Sequence, residues 1–255
     1  MRVLALDTTT RGGSVALVED DRVLAERAGD GARSHAERLP ADLTDLLDNA
    51  AMPLSAIDLF ACAAGPGSFT GLRIGIATMQ GLAFVSARPI VAVSALEALG
   101  QMAAVDLAPG AVVAAWMDAY RREVFSALYR VTDAAPFTPE RLVELDPAAS
   151  TDPAATLSRW AAYGALTAVI GDGAVAYKHL LAESTRVIEP PPIAAAIGRM
   201  AIVHARRGLT IDPAAVQPLY VRRPDAEVER DRKNSRHEGH ATEHAVPVRG
   251  PSGDR

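Results

Sequence analysis

Apolar residues recur along the chain in two rhythms, and the order of those rhythms repeats. Arg2–Leu6 is a short apolar run, Gly12–Gly13 turns the chain, and Ser14–Val18 is a second run. Arg22–Glu26 alternates after a turn at Asp20–Asp21. Short runs bounded by turn residues predict three strands in a meander. Ser34 then precedes Leu39, Leu43, Leu46, Leu47 and Ala50, whose spacing predicts a serine-capped helix. Leu59–Ala63 reads as a buried strand, Thr70–Ser86 as a helix, Ile90–Val93 as a strand and Ser94–Ala104 as a helix.

The same order then returns. Val112–Met117, Val124–Arg130 and Arg141–Leu145 read as strands, Pro153–Ala162 as a helix, Ala168–Ile170 as a strand and Ala174–Leu181 as a helix. Arg186–Ile188 and Ile193–Arg207 close the series, the helix stopping at Gly208 in C-cap position. Each series opens with a strand that ends in aspartate, Asp7 in one and Asp118 in the other. The repeat predicts a duplicated α/β fold of two mixed sheets flanked by helices. The expected halves are residues 1–108 and 109–224, with the last helix able to pack back on the first half. Asp225–Arg255 contains no aromatic, Leu, Ile or Met, but holds His237, His240 and His244. It buries too little apolar area to offset its ordering entropy and is expected to be a disordered tail.

At 255 residues the chain is long enough for a core without staples. Its single cysteine, Cys62, excludes a disulfide framework and a thiolate metal cluster, and inside a buried strand it reads as a small hydrophobe. A formal charge of -5 gives no global pull toward nucleic acid, and 5% aromatics are too sparse for base-stacking platforms. No apolar run reaches the ~18 residues of a membrane span. The N-terminal Met-Arg-Val-Leu-Ala-Leu-Asp reads as a strand and not as a signal peptide. A cytoplasmic protein without membrane contact is expected.

Ala64-Gly65-Pro66-Gly67-Ser68-Phe69-Thr70-Gly71 joins a buried strand to a helix through a glycine-rich turn. Two readings stay open: a structural turn, or an anion site at a helix N-terminus capped by Ser68. It is neither a Walker A motif nor Gly-x-Gly-x-x-Gly. The helix that follows is apolar all round and carries Gly71, Gly75 and Gly81, which is costly unless both faces are closely packed. In Ser34-His35-Ala36-Glu37-Arg38-Leu39, His35 and Glu37 do not share a helix face, so a capped first turn with solvated His and Glu is expected.

Leu6-Asp7-Thr8-Thr9, Ser34–Leu39 and Gly65-Pro66-Gly67-Ser68-Phe69-Thr70-Gly71-Leu72-Arg73-Ile74-Gly75 together resemble the pattern of the bacterial TsaB family, formerly YeaZ. Met117-Asp118-Ala119 before Glu123-Val124, Gly171-Asp172-Gly173-Ala174 and Pro218-Leu219-Tyr220-Val221-Arg222 extend the resemblance to about residues 1–222. It implies a duplicated actin/Hsp70/sugar-kinase-like (ribonuclease H-like) fold, in agreement with the repeat. It also implies an accessory, non-catalytic subunit working with TsaD and TsaE. That complex transfers the threonylcarbamoyl group from threonylcarbamoyl-AMP to N6 of the adenosine 3′ of the anticodon in tRNA. TsaD is similar over the first half, where it carries His-x-x-x-His metal ligands; here Ser94 and Ala98 stand at those positions. No catalytic or metal residues are therefore expected.

On this resemblance the helices Ser34–Ala50 and Thr70–Ser86 pair with TsaD, or with a second copy as a homodimer, through Leu39, Arg73, Ile76, Ala77, Gln80 and Phe84. Ile74, Thr78, Gly81 and Val85 are then expected on the sheet side. No tightly bound cofactor is expected, with ATP or ADP placed at the complex interface near Asp7, Thr8, Gly65, Gly67 and Ser68. Contact with tRNA is expected only through the complex. Two other readings are carried. One is an ATP-hydrolysing or kinase-like enzyme of the same fold, using Asp7, Thr8, Asp118 and the Gly65–Gly67 loop. The other is a metallopeptidase, suggested by old family naming and opposed by the missing ligands.

Overall fold

A computed structural model describes residues 1–222, of which Met1–Val221 form one compact unit. The tail expected from Asp225 onward, with its three histidines, lies outside the described residues. In the first repeat β1 (Arg2–Asp7), β2 (Ser14–Glu19) and β3 (Arg22–Ala28) form the meander. They are followed by α1 (His35–Asn49), β4 (Leu59–Gly65), α2 (Phe69–Val85), β5 (Ile90–Ser94) and α3 (Ala95–Ala103). The second repeat is β6 (Val112–Asp118), β7 (Val124–Val131), β8 (Leu142–Thr151), α4 (Pro153–Trp160), β9 (Ala168–Ile170), α5 (Asp172–Ala176), β10 (Arg186–Ile188) and α6 (Ala194–Arg206).

The two sheets have the same strand order, β3-β2-β1-β4-β5 and β8-β7-β6-β9-β10. In each, the meander is antiparallel, and the last two strands add parallel on the other side of the first. β1 is apolar without interruption because both its faces are covered, as parallel pairing demands. Val3 and Ala5 face a core shared by the two sheets, whereas Leu4 and Leu6 face an outer cluster with Leu39, Phe60, Ile76 and Met79. A separate outer cluster of the second sheet is built on Trp116 and Trp160.

Helices α3 and α6 lie in the shared core, and each serves the other repeat. α6 packs across β1, β2, β4 and β5, while α3 lies mainly on β6, β7 and β9. Gly198 permits the close approach of α6, since a Cβ there would meet Val18 Cγ2 at 2.8 Å and Ala5 Cβ at 3.4 Å. The amides at the start of α6 are held by the first sheet: Ala194 donates to Ser14 Oγ at 3.0 Å and Ala195 to Glu26 Oε1 at 2.8 Å.

Two elements differ from expectation. β8 continues beyond Leu145 to Thr151, absorbing Pro147 at a sheet edge where the register against β7 shifts. The helix expected over Ala174–Leu181 is a short α5 starting at Asp172, then a 3-10 turn at Lys178–Leu180. No helix among the described residues is long and apolar enough to cross a membrane.

Candidate functional site

The equivalent aspartates at the ends of β1 and β6 make the same local turn. Asp7 Oδ1 accepts the Thr9 amide at 2.8 Å and the Thr9 hydroxyl at 2.6 Å. Asp118 Oδ1 accepts the Tyr120 amide at 2.9 Å. Asp172, which opens α5, accepts the amides of Asp118 and Gly173, both at 2.9 Å. Asp7 and Asp172 line a cleft of about 200 Å³ together with Gly12–Ser14, Gly171 and Pro190–Ile193. Burial pushes both carboxyls above the usual carboxylate range, against the hydrogen bonds they accept.

The cleft lining contains no Lys or Arg. Its volume falls below the ~300–1,000 Å³ of ordinary small-molecule pockets. The lining presents two carboxylates, and a nearby cation, Arg38, acts on Asp7 from behind the Gly12 wall, where it holds the Gly12 carbonyl. Of the residues expected around a nucleotide, Asp7 alone lines the cleft; Thr8, Gly65, Gly67 and Ser68 do not. The reason is packing. A Cβ at Gly67 would meet Thr9 Cβ at 2.5 Å, and one at Gly65 would meet the Leu219 carbonyl oxygen at 2.7 Å. The Ser68 amide donates to the Thr9 carbonyl at 2.8 Å, and Ser68 Oγ accepts the Gly71 amide at 3.2 Å. The geometry supports the structural reading of this turn.

Thr8 is wedged into α2. A Cβ at Gly71 would overlap the Thr8 carbonyl oxygen, and one at Gly75 the Thr8 hydroxyl. This contact sets the rotation of α2, turning Leu72, Gly75, Ile76, Met79 and Ala83 inward. Arg73, Ala77, Gly81, Phe84 and Val85 face solvent, with Phe84 79% and Val85 83% exposed. The expected faces of α2 are therefore corrected. Gly81 and Val85 are on the open side and not on the sheet. Ile76 (5% exposed) and Leu39 (1%) belong to the outer core cluster and not to a surface.

Arg73 and Gln80 are engaged by the chain's own C-terminal segment. Arg73 Nε donates to the Tyr220 hydroxyl at 2.9 Å, and its guanidinium lies 3.8 Å from the centroid of the Phe69 ring, which stacks on Tyr220. Gln80 Nε2 donates to the Pro213 carbonyl at 2.7 Å and that of Val216 at 3.3 Å. Residues 213–220 thus strap along α2. The sequence reading missed this strap, although the apolar run Val216, Leu219, Tyr220 and Val221 just before the polar C-terminal residues was its signal.

Ser34 and Glu37 form the expected capping box. His35 is buried, which corrects its expected solvation: Nε2 contacts the Thr10 carbonyl oxygen at 2.9 Å, and Nδ1 contacts Arg38 at 2.8 Å. Arg38 also holds Asp42 and the Gly12 carbonyl, so the motif pins α1 to the wall of the cleft. Burial, more than the neighbouring guanidinium, depresses the imidazole's pKa. Ser94 caps α3 by accepting the Glu97 amide at 3.3 Å, and Ala98 is fully buried. Among the described residues no group of three or more His, Cys, Asp or Glu is placed to hold a metal ion.

Two sheets of identical strand order, with Asp7 and Asp172 lining the cleft, define a duplicated mixed α/β fold. A family model described as TsaD, tRNA N6-adenosine threonylcarbamoyltransferase, matches residues 28–229. The solved structure of YeaZ from Pseudomonas aeruginosa is 31% identical with a TM-score of 0.71, over 86% of this chain and 99% of that one. An uncharacterized Mycobacterium tuberculosis protein is 33% identical over 228 residues, 88% of this chain and 93% of its own. The tRNA threonylcarbamoyladenosine biosynthesis protein TsaB of Escherichia coli is 40% identical over 130 residues, 51% of this chain and 55% of its own. The match thus spans about half the length of that relative. The chain belongs to the TsaB (YeaZ) family.

Proposed function

We propose that this chain is an accessory, non-catalytic subunit in the synthesis of N6-threonylcarbamoyladenosine beside the tRNA anticodon, with a TsaD-type transferase and TsaE as partners. The observation that carries this reading is the open strip of α2. Phe84 and Val85 present large apolar area to solvent, while Ala77 and Gly81 leave the helix backbone open to close approach. Such a strip suits the core of a protein–protein interface. Self-association in the absence of the partner uses the same strip. Relatives named for threonylcarbamoyladenosine biosynthesis supply the pathway. Ser94 and Ala98 supply no imidazole for a metal, so the transfer chemistry is assigned to the partner. In this reading ATP or ADP is held at the complex interface near Gly65–Ser68, and tRNA is reached through the complex. The donor set of the Asp7–Asp172 cleft gives no support to an ATP-hydrolysing or kinase-like enzyme.

Ala77→Glu tests the proposal. A carboxylate desolvated in a close helix contact without a partner costs about 3–5 kcal/mol. That is ample to lose a micromolar complex. Size-exclusion chromatography and calorimetry with a TsaD-type protein should show no pairing, while circular dichroism stays native because Ala77 is exposed in the chain alone. Pairing at native strength would place the interface elsewhere and overturn the reading. Nucleotide affinity that is unchanged on adding TsaD and TsaE would remove the nucleotide from the interface.

A further inference from the structure

A second cavity lies away from the Asp7–Asp172 cleft, where α3 meets β7 and β8. It encloses about 270 Å³ and is walled by Ser94, Glu97, Tyr129, Leu142 and Glu144. Glu97 stands in the first turn of α3, and Glu144 lies opposite Tyr129 in the β7–β8 register. Three elements thus bring two carboxylates and a phenol to one void.

Among the described residues neither carboxylate has an ion-pair or hydrogen-bond partner. Tyr129 is only 4% exposed, yet its hydroxyl makes no hydrogen bond with a described residue and borders the cavity. Its ring is seated on Gly100, where a Cβ would meet Tyr129 Cδ2 at 2.9 Å and Leu142 Cδ1 at 3.0 Å. Glu97 is half-buried beside Glu144, which stands exposed at the mouth of the cavity, and a partly desolvated carboxylate next to a second one favours a cation between them. Burial, with Glu144 adding to it, pushes the Glu97 carboxyl above its usual range. What the cavity lacks is positive charge carrying several N–H donors.

We infer that this cavity binds an organic cation, an alkylammonium or guanidinium group, held by Glu97, Glu144 and the Tyr129 hydroxyl. The Leu142 side chain offers an apolar wall for the methylene stem of such a group. A bare metal ion suits it poorly: two carboxylates are too few for a calcium shell of 6–8 oxygens. The void also holds far more than one water, whose share of liquid volume is ~30 Å³. The cation comes either as a free aminoalkylguanidine or as an arginine side chain presented by another protein.

Calorimetry on the full chain with agmatine and with N-acetyl-argininamide separates these sources, with magnesium chloride as competitor. Tighter binding of agmatine assigns a free aminoalkylguanidine, whereas equal or tighter binding of N-acetyl-argininamide assigns a protein-borne arginine. In either case Glu97→Gln and Glu144→Gln should each weaken binding at least about tenfold, or ~1.4 kcal/mol. Tyr129→Phe should weaken it less, and magnesium should not compete. Glu97→Gln removes a buried charge of nearly the same shape, so its Tm without ligand should not fall. Agmatine should raise the wild-type Tm and leave that of the variant unchanged. No binding of either probe, equal affinity in the variants, or displacement by magnesium would overturn the inference.

Discussion

Two glycines of one helix should answer the same substitution with opposite signs. Each Gly→Ala change inside a helix gains about 1 kcal/mol of propensity. At Gly81 an added Cβ meets nothing within 4 Å, so Gly81→Ala should realise that gain in full. For a domain of this size each kcal/mol moves Tm by about 2–4 °C. At Gly75 the added Cβ overlaps the Thr8 hydroxyl and lies 3.0 Å from Thr8 Cγ2. Thr8 is 2% exposed and adjoins the Asp7–Thr9 turn, so it cannot retreat without disturbing that turn. Overpacking of this kind costs about 1–3 kcal/mol. Gly75→Ala should therefore lie about 1–3 kcal/mol below Gly81→Ala, a separation of several degrees. Thr8→Ala removes the obstacle, so the Thr8→Ala, Gly75→Ala double variant should show a favourable coupling of about 1 kcal/mol. Thermal and urea unfolding followed by far-UV circular dichroism measure the wild type and all four variants. If Gly75→Ala matches Gly81→Ala, or shows no coupling to Thr8, the packing argument for the orientation of α2 is wrong.

Arg141 is 6% exposed and donates to the carbonyls of Thr132, Ala134, Ala104 and Leu107 at 2.6, 3.1, 2.6 and 2.9 Å, closing the C-terminal end of α3. Arg141→Met should cost about 2–4 kcal/mol in urea unfolding, and a change within ~0.5 kcal/mol would refute the role. His35 is held neutral with its pKa depressed, so between the folded and unfolded pKa values the unfolded chain binds more protons. Its contribution is present above the unfolded value near 6.5 and is lost as pH falls through the lower folded value. The stability difference between wild type and His35→Gln should shrink with acidification; a difference that does not vary with pH would contradict this. Cys62 is 1% exposed and its thiol is pushed up to about 12 by burial, so it should resist thiol reagents at neutral pH until the chain is denatured. Rapid labelling of the native protein would show an opening that the packing does not allow.

Short apolar runs bounded by turn residues made most strands legible, with period-two alternation seen in Arg22–Glu26. The strand-end aspartates Asp7 and Asp118 were legible because the repeated element order aligns them. The orientation of α2 was not. A helix that is apolar all round has no direction written in its own residues, and here Thr8 sets it from another element. The burial of His35 depends on Thr10 and Arg38, neither of which its local spacing distinguishes from solvent. The strap along α2 joins Arg73 to Tyr220 and Gln80 to Pro213 across more than half the chain. The Glu97–Tyr129–Glu144 cavity likewise exists only once α3 meets the second sheet. Pattern along the chain specifies elements; sites assembled from three elements need the tertiary contacts.

The reciprocal placement of α3 and α6 imposes an order on synthesis. The first sheet is complete in strands once Ser94 has left the ribosome, but the helix that covers its inner face begins only at Ala194. At ~5–20 residues per second the intervening hundred residues take roughly 5–20 s. During that interval Val3, Ala5, Ala16 and Val18 have no α6 to cover them, and α3 waits for a sheet not yet made. A nascent chain stalled between the repeats therefore displays an apolar sheet face that a stall after Arg206 does not. The inner face of the first repeat is thus closed only by the last helix of the second.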